Sequence, residues 1–235
     1  MSFSSLGLNQ QLVSAVTELG YTEPTPIQLE AIPAILSGQD IMAGAQTGTG
    51  KTAAFALPLL HNLCEKYNSK PNEIDDEPSF CHIETLVLTP TRELAQQVFS
   101  SFEKYGEKTE LKCGIAYGGV SLNPQIEAIK NGVNILVATP GRLLDLMFRK
   151  AINLCKIKYL VFDEADRMLD MGFITDINRI LKEVPSERQT LLFSATFDDA
   201  IFELSKTLLT KPTLIEVDAR NTTANQVEQM VYAVD

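Results

Sequence analysis

The residues Ala45-Gln46-Thr47-Gly48-Thr49-Gly50-Lys51-Thr52 have the composition and order of a loop that cradles phosphate. Glycines let the backbone curl until its N–H groups point inward at anionic oxygens. Lys51 offers a mobile positive charge for β- and γ-phosphates, and the Thr52 hydroxyl is a ligand for Mg²⁺. A helix starting at Lys51 adds the positive end of its dipole. The strict phosphate-loop pattern has glycine where this chain has Ala45. Gly48-Thr49-Gly50-Lys51-Thr52-Ala53 also fits a dinucleotide fingerprint. That reading needs an acidic residue closing a second strand about twenty residues on, and the zone concerned is polar without a strand pattern. The phosphate loop is the preferred reading.

A second constellation follows Leu160-Val161-Phe162. Asp163 ends that apolar run, where an acid can hold Mg²⁺, directly or through the ion's waters. Glu164 is placed to orient or deprotonate an attacking water. Asp163 could instead cap the next helix, as Asp often does, and the two roles are compatible.

These groups need a scaffold. Asp40–Gly44 reads as a buried strand entering the phosphate loop, and a helix is expected from Lys51 to about Tyr67. Four further apolar runs end in polar clusters. Thr85–Leu88 leads into Thr89-Pro90-Thr91-Arg92-Glu93-Leu94. Asn134–Ala138 leads into Thr139-Pro140-Gly141-Arg142. Tyr159–Phe162 leads into Asp163-Glu164-Ala165-Asp166, and Thr190–Phe193 leads into Ser194-Ala195-Thr196. Short continuous apolar runs suit strands buried on both faces, and strands alternating with helices imply a parallel sheet. Ligands of such sheets sit beyond the carboxyl ends of the strands, where every one of these clusters falls. Leu111–Tyr117 and Thr213–Val217 are expected as two more strands. Residues 3–19 read as one helix with Asn9 as a possible cap. The two prolines of Gly20–Gln28 predict an extended stretch, followed by a helix from Leu29 that Gly38 ends. Residues 68–82, acidic and proline-broken, read as a solvated surface loop. Ala219–Gln226 reads as a linker, and Val227–Val234 begins an element that the chain does not complete.

The 235 residues, 45% hydrophobic, suffice for one large α/β core. No apolar stretch reaches the ~18 residues of a membrane span, and the first residues lack the pattern of a signal peptide. Cys64, Cys81, Cys113 and Cys155 have no metal-ligand spacing and read as free thiols of a reducing compartment. The net charge of −10 argues against strong non-specific affinity for nucleic acid. It leaves room for a local site built from a few arginines and helix N-termini. His61 and His82 are read as uninvolved. Met168, Leu169, Met171 and Phe173 are read as helix packing.

In this order the motifs resemble the DEAD-box ATP-dependent RNA helicases of bacterial type, across residues 3–235. The four letters stand as Asp163-Glu164-Ala165-Asp166. Gly20–Gln28 is similar to the family's Q motif, with Phe3 at the upstream aromatic position. Ala45–Thr52 is similar to motif I, the alanine included. Pro90–Leu94, Gly118-Gly119 and Thr139–Arg142 match the RNA-side motifs, and Ser194–Thr196 matches motif III. The resemblance implies a RecA-like P-loop domain over residues 1–218, a mostly parallel sheet between helices. Residues 219–235 would begin the linker to a second RecA-like domain in cis. The arginine-finger pattern His-Arg-x-Gly-Arg, which that domain would supply, occurs nowhere in these 235 residues.

The resemblance further implies ATP and Mg²⁺ as cofactors, RNA held by its backbone, and a cytoplasmic monomer. Gln28 would pair with adenine N6 and N7; the other reading is a water-exposed glutamine at a helix start. Tyr21 would stack on the base or simply pack. Pro90, Arg92, Gly119, Thr139 and Arg142 would hold RNA phosphates and sugars, although Arg92 could instead pair with Glu93 or with an interdomain carboxylate. Ser194, Thr196 and Asp166 would couple the nucleotide to the RNA side, although Ser194 and Thr196 could instead cap a helix. Two other functions remain open from sequence: a non-catalytic ATP-gated RNA clamp, and a different P-loop nucleic-acid motor such as a DNA helicase.

Overall fold

A computed structural model of the chain describes residues 2–44, 46, 48–69 and 83–217. Ala45, Thr47, Cys81, His82 and the expected linker at 219–235 lie outside the described residues, as does all of the acidic loop except Asn68 and Ser69. These two complete a helix rather than begin a loop.

The apolar runs form strands β1 (Ile41–Gly44), β2 (Thr85–Leu88), β3 (Cys113–Ala116), β4 (Ile135–Ala138), β5 (Tyr159–Phe162), β6 (Gln189–Ser194) and β7 (Thr213–Glu216). They make one sheet in the order β3-β4-β2-β5-β6-β1-β7, and every pairing is parallel. The helices are α1 (Gln10–Glu18), α2 (Pro26–Leu36), α3 (Lys51–Ser69), α4 (Arg92–Tyr105), α5 (Asn123–Lys130), α6 (Pro140–Phe148), α7 (Ala165–Asp170), α8 (Ile174–Leu181) and α9 (Asp199–Leu208).

Apolar residues on consecutive strand positions serve both faces, because side chains alternate with a period of two. Val87, Val137, Val161 and Leu191 enter a core shared with α1–α4. Their neighbours Leu86, Leu136, Leu160 and Leu192 enter a second core shared with α5–α9. Burying one such side chain is worth about 1.5–3 kcal/mol, so a sheet apolar on both faces demands helices on both.

Two boundaries differ from the sequence reading. The expected helix at 3–19 is broken: a 3-10 turn spans Phe3–Leu6, and Gly7 at φ 84° reverses the chain. Asn9 then caps α1, its Oδ1 accepting the Leu12 N–H at 3.0 Å. Phe3 and Leu6 join the same core as Leu12, Val13 and Val16 of α1, but from a separate turn. The second helix opens at Pro26, not Leu29. Proline at the first helical position loses no hydrogen bond, so Ile27 and Gln28 are helical rather than extended.

Polar networks tie down the amino-terminal edge of the sheet. Glu84 is buried and accepts from Lys66 Nζ at 2.6 Å and Tyr67 Oη at 2.8 Å, with Lys158 Nζ at 3.1 Å. Burial alone would raise its carboxyl; these donors hold it below the usual range. Asp40 accepts the Thr190 and Thr210 N–H groups, each at 2.7 Å. His61 is likewise structural, its Nδ1 accepting the Asn9 N–H at 3.1 Å. The loops at the other edge are thereby left for function.

Candidate active site and nucleic-acid interface

Strand order sorts the polar clusters into two halves. Loops after β3, β4 and β2 carry Gly118-Gly119, Thr139–Arg142 and Pro90–Leu94 side by side. The phosphate loop after β1 lies next to β6, and Asp163–Asp166 follows β5, between β2 and β6. The strand ends are level: Gly44 is in register with Ser194, and Leu88 with both Phe162 and Ala138.

In the first half Lys51 begins α3 and is buried, with no hydrogen-bond partner for its Nζ. Asp163 is 2% exposed, and its Oδ1 has none either. Buried charges without partners cost several kcal/mol each, so two of opposite sign at one sheet edge suit a ligand carrying both a cation and anionic oxygens. Among the described residues no group of His, Cys, Asp or Glu forms a metal site. Thr52 stands beside Lys51 in the first turn of α3.

Burial pushes the Asp163 carboxyl up to about 6, with Glu164 adding to the rise and Lys51 opposing it. Metal ligation requires the carboxylate, so binding must expel a proton wherever the free group is protonated. Mg²⁺-dependent affinity for ADP should therefore hold near neutrality and fall about tenfold per pH unit below about 6. Calorimetry between pH 5 and 8 checks it; Asp163→Asn should abolish this dependence.

Glu164 has left-handed backbone, φ 58° and ψ 56°, at the start of α7. A non-glycine residue there costs about 1–2 kcal/mol, and such strain gathers at functional sites. Its carboxylate lies 3.4 Å from Arg167 Nη1, a neighbour not anticipated from sequence. Asp166 Oδ2 accepts the Ala195 N–H at 3.1 Å, joining this cluster to Ser194-Ala195-Thr196. Ser194 is fully buried, and its Oγ accepts the Thr196 N–H at 3.4 Å. The helix-capping alternative fails for both residues, because Asp198 caps α9.

Gln28 is 1% exposed, which removes the water-exposed alternative. Its Oε1 accepts the Thr25 N–H at 2.9 Å, and its Nε2 donates to the Gly50 carbonyl at 3.1 Å. The amide thus joins α2 to the phosphate loop, keeping one further N–H and one lone pair. Gly50 is required here: its φ is 91°, and a Cβ would stand 2.5 Å from Gln28 Nε2. Tyr21 packs edge-on to Phe3 and Tyr105, with ring centroids 6.5 and 6.1 Å away. It nonetheless stays 39% exposed, so packing and an open surface coexist.

In the second half Pro90, Arg92, Thr139 and Arg142 line one cavity of about 570 Å³, with Gly118 also on its wall. Gly119 adjoins it at φ 83°, where a Cβ would be 3.7 Å from Arg92 Nη1. Arg92 does pair with Glu93, Nε to Oε1 at 2.5 Å, yet more than half of its side chain is exposed. Arg142 is buried and largely committed within the domain. Its Nη1 donates to Gln125 Oε1 at 3.0 Å and its Nη2 to the Val120 carbonyl at 2.9 Å. It braces the loop that carries Gly119, a task foreseeable only once Gln125 was known to face it. Met168 and Leu169 pack in the core as expected. Phe173 packs against that core too while also lining the cavity; Met171 lines the cavity and is 49% exposed.

The fold is an all-parallel sheet between helices, with Lys51, Asp163 and the groove of Arg92 and Thr139 along one sheet edge. A family model for the DEAD/DEAH box helicases matches residues 25–204, and the chain belongs to that family. It is 44% identical over 234 residues to the DEAD-box ATP-dependent RNA helicase RhpA of Helicobacter pylori (strain B128), covering 100% of this chain and 45% of that protein. It is also 44% identical over 233 residues to the RNA helicase CrhR of Synechocystis, covering 99% of this chain and 44% of the relative. The crystal structure of a DEAD box protein from the hyperthermophile Methanococcus jannaschii superposes with a TM-score of 0.82. Identity there is 40%, covering 93% of this chain and 56% of the other. The chain thus spans about half the length of the curated relatives it matches.

Proposed function

We propose that residues 1–218 form the first motor domain of an ATP-dependent RNA helicase or RNP-remodelling ATPase, with 219–235 leading to a second RecA-like domain. Its strongest support is the pair of buried opposite charges, Lys51 Nζ and Asp163 Oδ1, neither with a hydrogen-bond partner, on the edge that also bears the groove of Arg92 and Thr139. Residues 45–50 bind the phosphates, and Lys51 neutralises them. Thr52 and Asp163 would hold Mg²⁺, which would supply charge neutralisation to the phosphates. Glu164 orients and deprotonates the attacking water. Gln28 and Tyr21 hold adenine. Pro90, Arg92, Gly119 and Thr139 hold RNA backbone without reading sequence, and Arg142 contributes chiefly by bracing Gly119. Asp166, Ser194 and Thr196 relay between the halves. The protein would act as a monomer in the cytoplasm, a location that the free thiols of Cys64, Cys113 and Cys155 suit. Among the described residues no helix is long and apolar enough to cross a membrane.

Nucleotide choice tests the base site. The Gln28 amide can pair with the N6/N7 edge of adenine and poorly with the acceptor edge of guanine. ADP should bind about ten- to a hundredfold more tightly than GDP, and Gln28→Ala should remove most of that difference. Calorimetry with both nucleotides decides it; equal affinities in the unsubstituted protein would sink the base assignment.

A further inference from the structure

A cavity of about 830 Å³ opens between the carboxyl-terminal ends of α6 and α8, lined in part by Phe148, Lys150, Arg179, Lys182 and Glu183. Phe148 is 91% exposed. Single exposed apolar residues need no explanation, but this ring stands among cations in a chain of net charge −10. Glu183 is the one acid among these lining residues, and Arg179 reaches Asp176 only at 3.8 Å. Arg149, next to Phe148, is exposed as well. Cations are favoured at helix C-termini, which accounts for part of this charge but neither for the open ring nor for the cavity. Lys150 also holds a place that glycine usually fills. It closes α6 at φ 53°, with its N–H on the Met147 carbonyl and the Ala151 N–H on the Leu146 carbonyl, both at 2.9 Å.

The same two helices reach the groove described above. The first turn of α6 carries Gly141 and Arg142, and Phe173 immediately precedes α8. From Arg142 to Phe148 a helix rises ~9 Å, the axial length of about three stacked nucleotides. Phe148 thus stands at the far end of the helix whose first turn lines the groove.

We propose that Phe148, with Lys150, Arg179 and Lys182, is a second subsite for single-stranded RNA. A base stacks on the Phe148 ring, and the flanking phosphates meet the cations. Stacking on an open aromatic face combined with a cationic groove is how single strands are held without sequence preference. An acidic peptide would also suit the charge. RNA is favoured because α6 and α8 also reach the groove of Arg92 and Thr139. The inference rests on the reading of the Arg92–Thr139 groove as the RNA path.

The test uses full-length protein with a non-hydrolysable ATP analogue and labelled oligouridines of about six and about twelve nucleotides, within the range of single-strand site sizes. Phe148→Ala should leave the affinity for the shorter RNA unchanged and weaken the longer roughly five- to tenfold. Phe148→Trp should restore it. Residues 1–235 contain no tryptophan, so emission in excess of the unsubstituted protein reports on position 148. The longer RNA should quench it, while the shorter RNA and polyglutamate should not. Unchanged affinity of Phe148→Ala for the longer RNA, without quenching, overturns the subsite and spares the groove. Quenching by polyglutamate but not RNA overturns it in favour of an acidic peptide. Failure of the unsubstituted protein to bind either RNA overturns the groove reading, and this subsite with it.

Discussion

Glu164→Gln in the full-length protein should leave ATP binding largely intact and slow turnover by about 10²–10⁴-fold, the usual contribution of a positioned general base. Glutamine keeps the size of the side chain and its hydrogen-bonding reach but cannot take a proton. Glu164 carries none of the buried unpartnered charge that marks the phosphate site; that belongs to Lys51 and Asp163. Its carboxylate lies against Arg167, and its backbone is held in the left-handed region at φ 58°. That combination suits a group aimed at a water rather than one that grips the nucleotide. Binding by calorimetry and turnover by phosphate release separate the two roles. Loss of binding with turnover spared would reverse the assignment.

The 235-residue chain by itself should hydrolyse ATP about 10³–10⁵-fold more slowly than the full-length protein, the usual worth of an arginine finger. Charge developing on the transferred phosphoryl group needs stabilisation beyond Lys51 and Mg²⁺. Arg92 faces the other groove, and Arg142 is committed to Gln125 and Val120. Arg167 lies beside Glu164, where it would hold the base rather than the phosphate. RNA should barely stimulate the isolated chain, whose net charge of −10 adds little non-specific attraction. It should still bind ADP in a Mg²⁺-dependent way. Robust RNA-stimulated turnover by these residues alone, lost in Lys51→Ala, would place a complete catalytic site within them.

The sheet was legible because its strands are buried on both faces and announce themselves as short apolar runs such as Leu86-Val87-Leu88. The candidate site was legible because parallel strands deliver their polar followers to one edge, and because phosphate chemistry restricts which residues can follow. What escaped depends on pairings distant in sequence. Arg142 looks free in Thr-Pro-Gly-Arg, yet Gln125 and the Val120 carbonyl claim it. Gln28 looks like a solvated helix start until Gly50, whose missing side chain admits the amide, is brought against it. Met171 and Phe173 follow a helical pattern, and only the short α7 and the turn at Gly172 direct them into the groove. The helix expected at 3–19 failed because apolar spacing is blind to a left-handed glycine.

RNA-dependent phosphate release by the full-length protein tests the central claim most directly. Single-stranded RNA should raise the rate well above that of ATP alone, DNA of the same sequence should not, and Lys51→Ala should abolish the stimulated rate. Equal stimulation by DNA and RNA, or a rate indifferent to both and unchanged in Lys51→Ala, would contradict it.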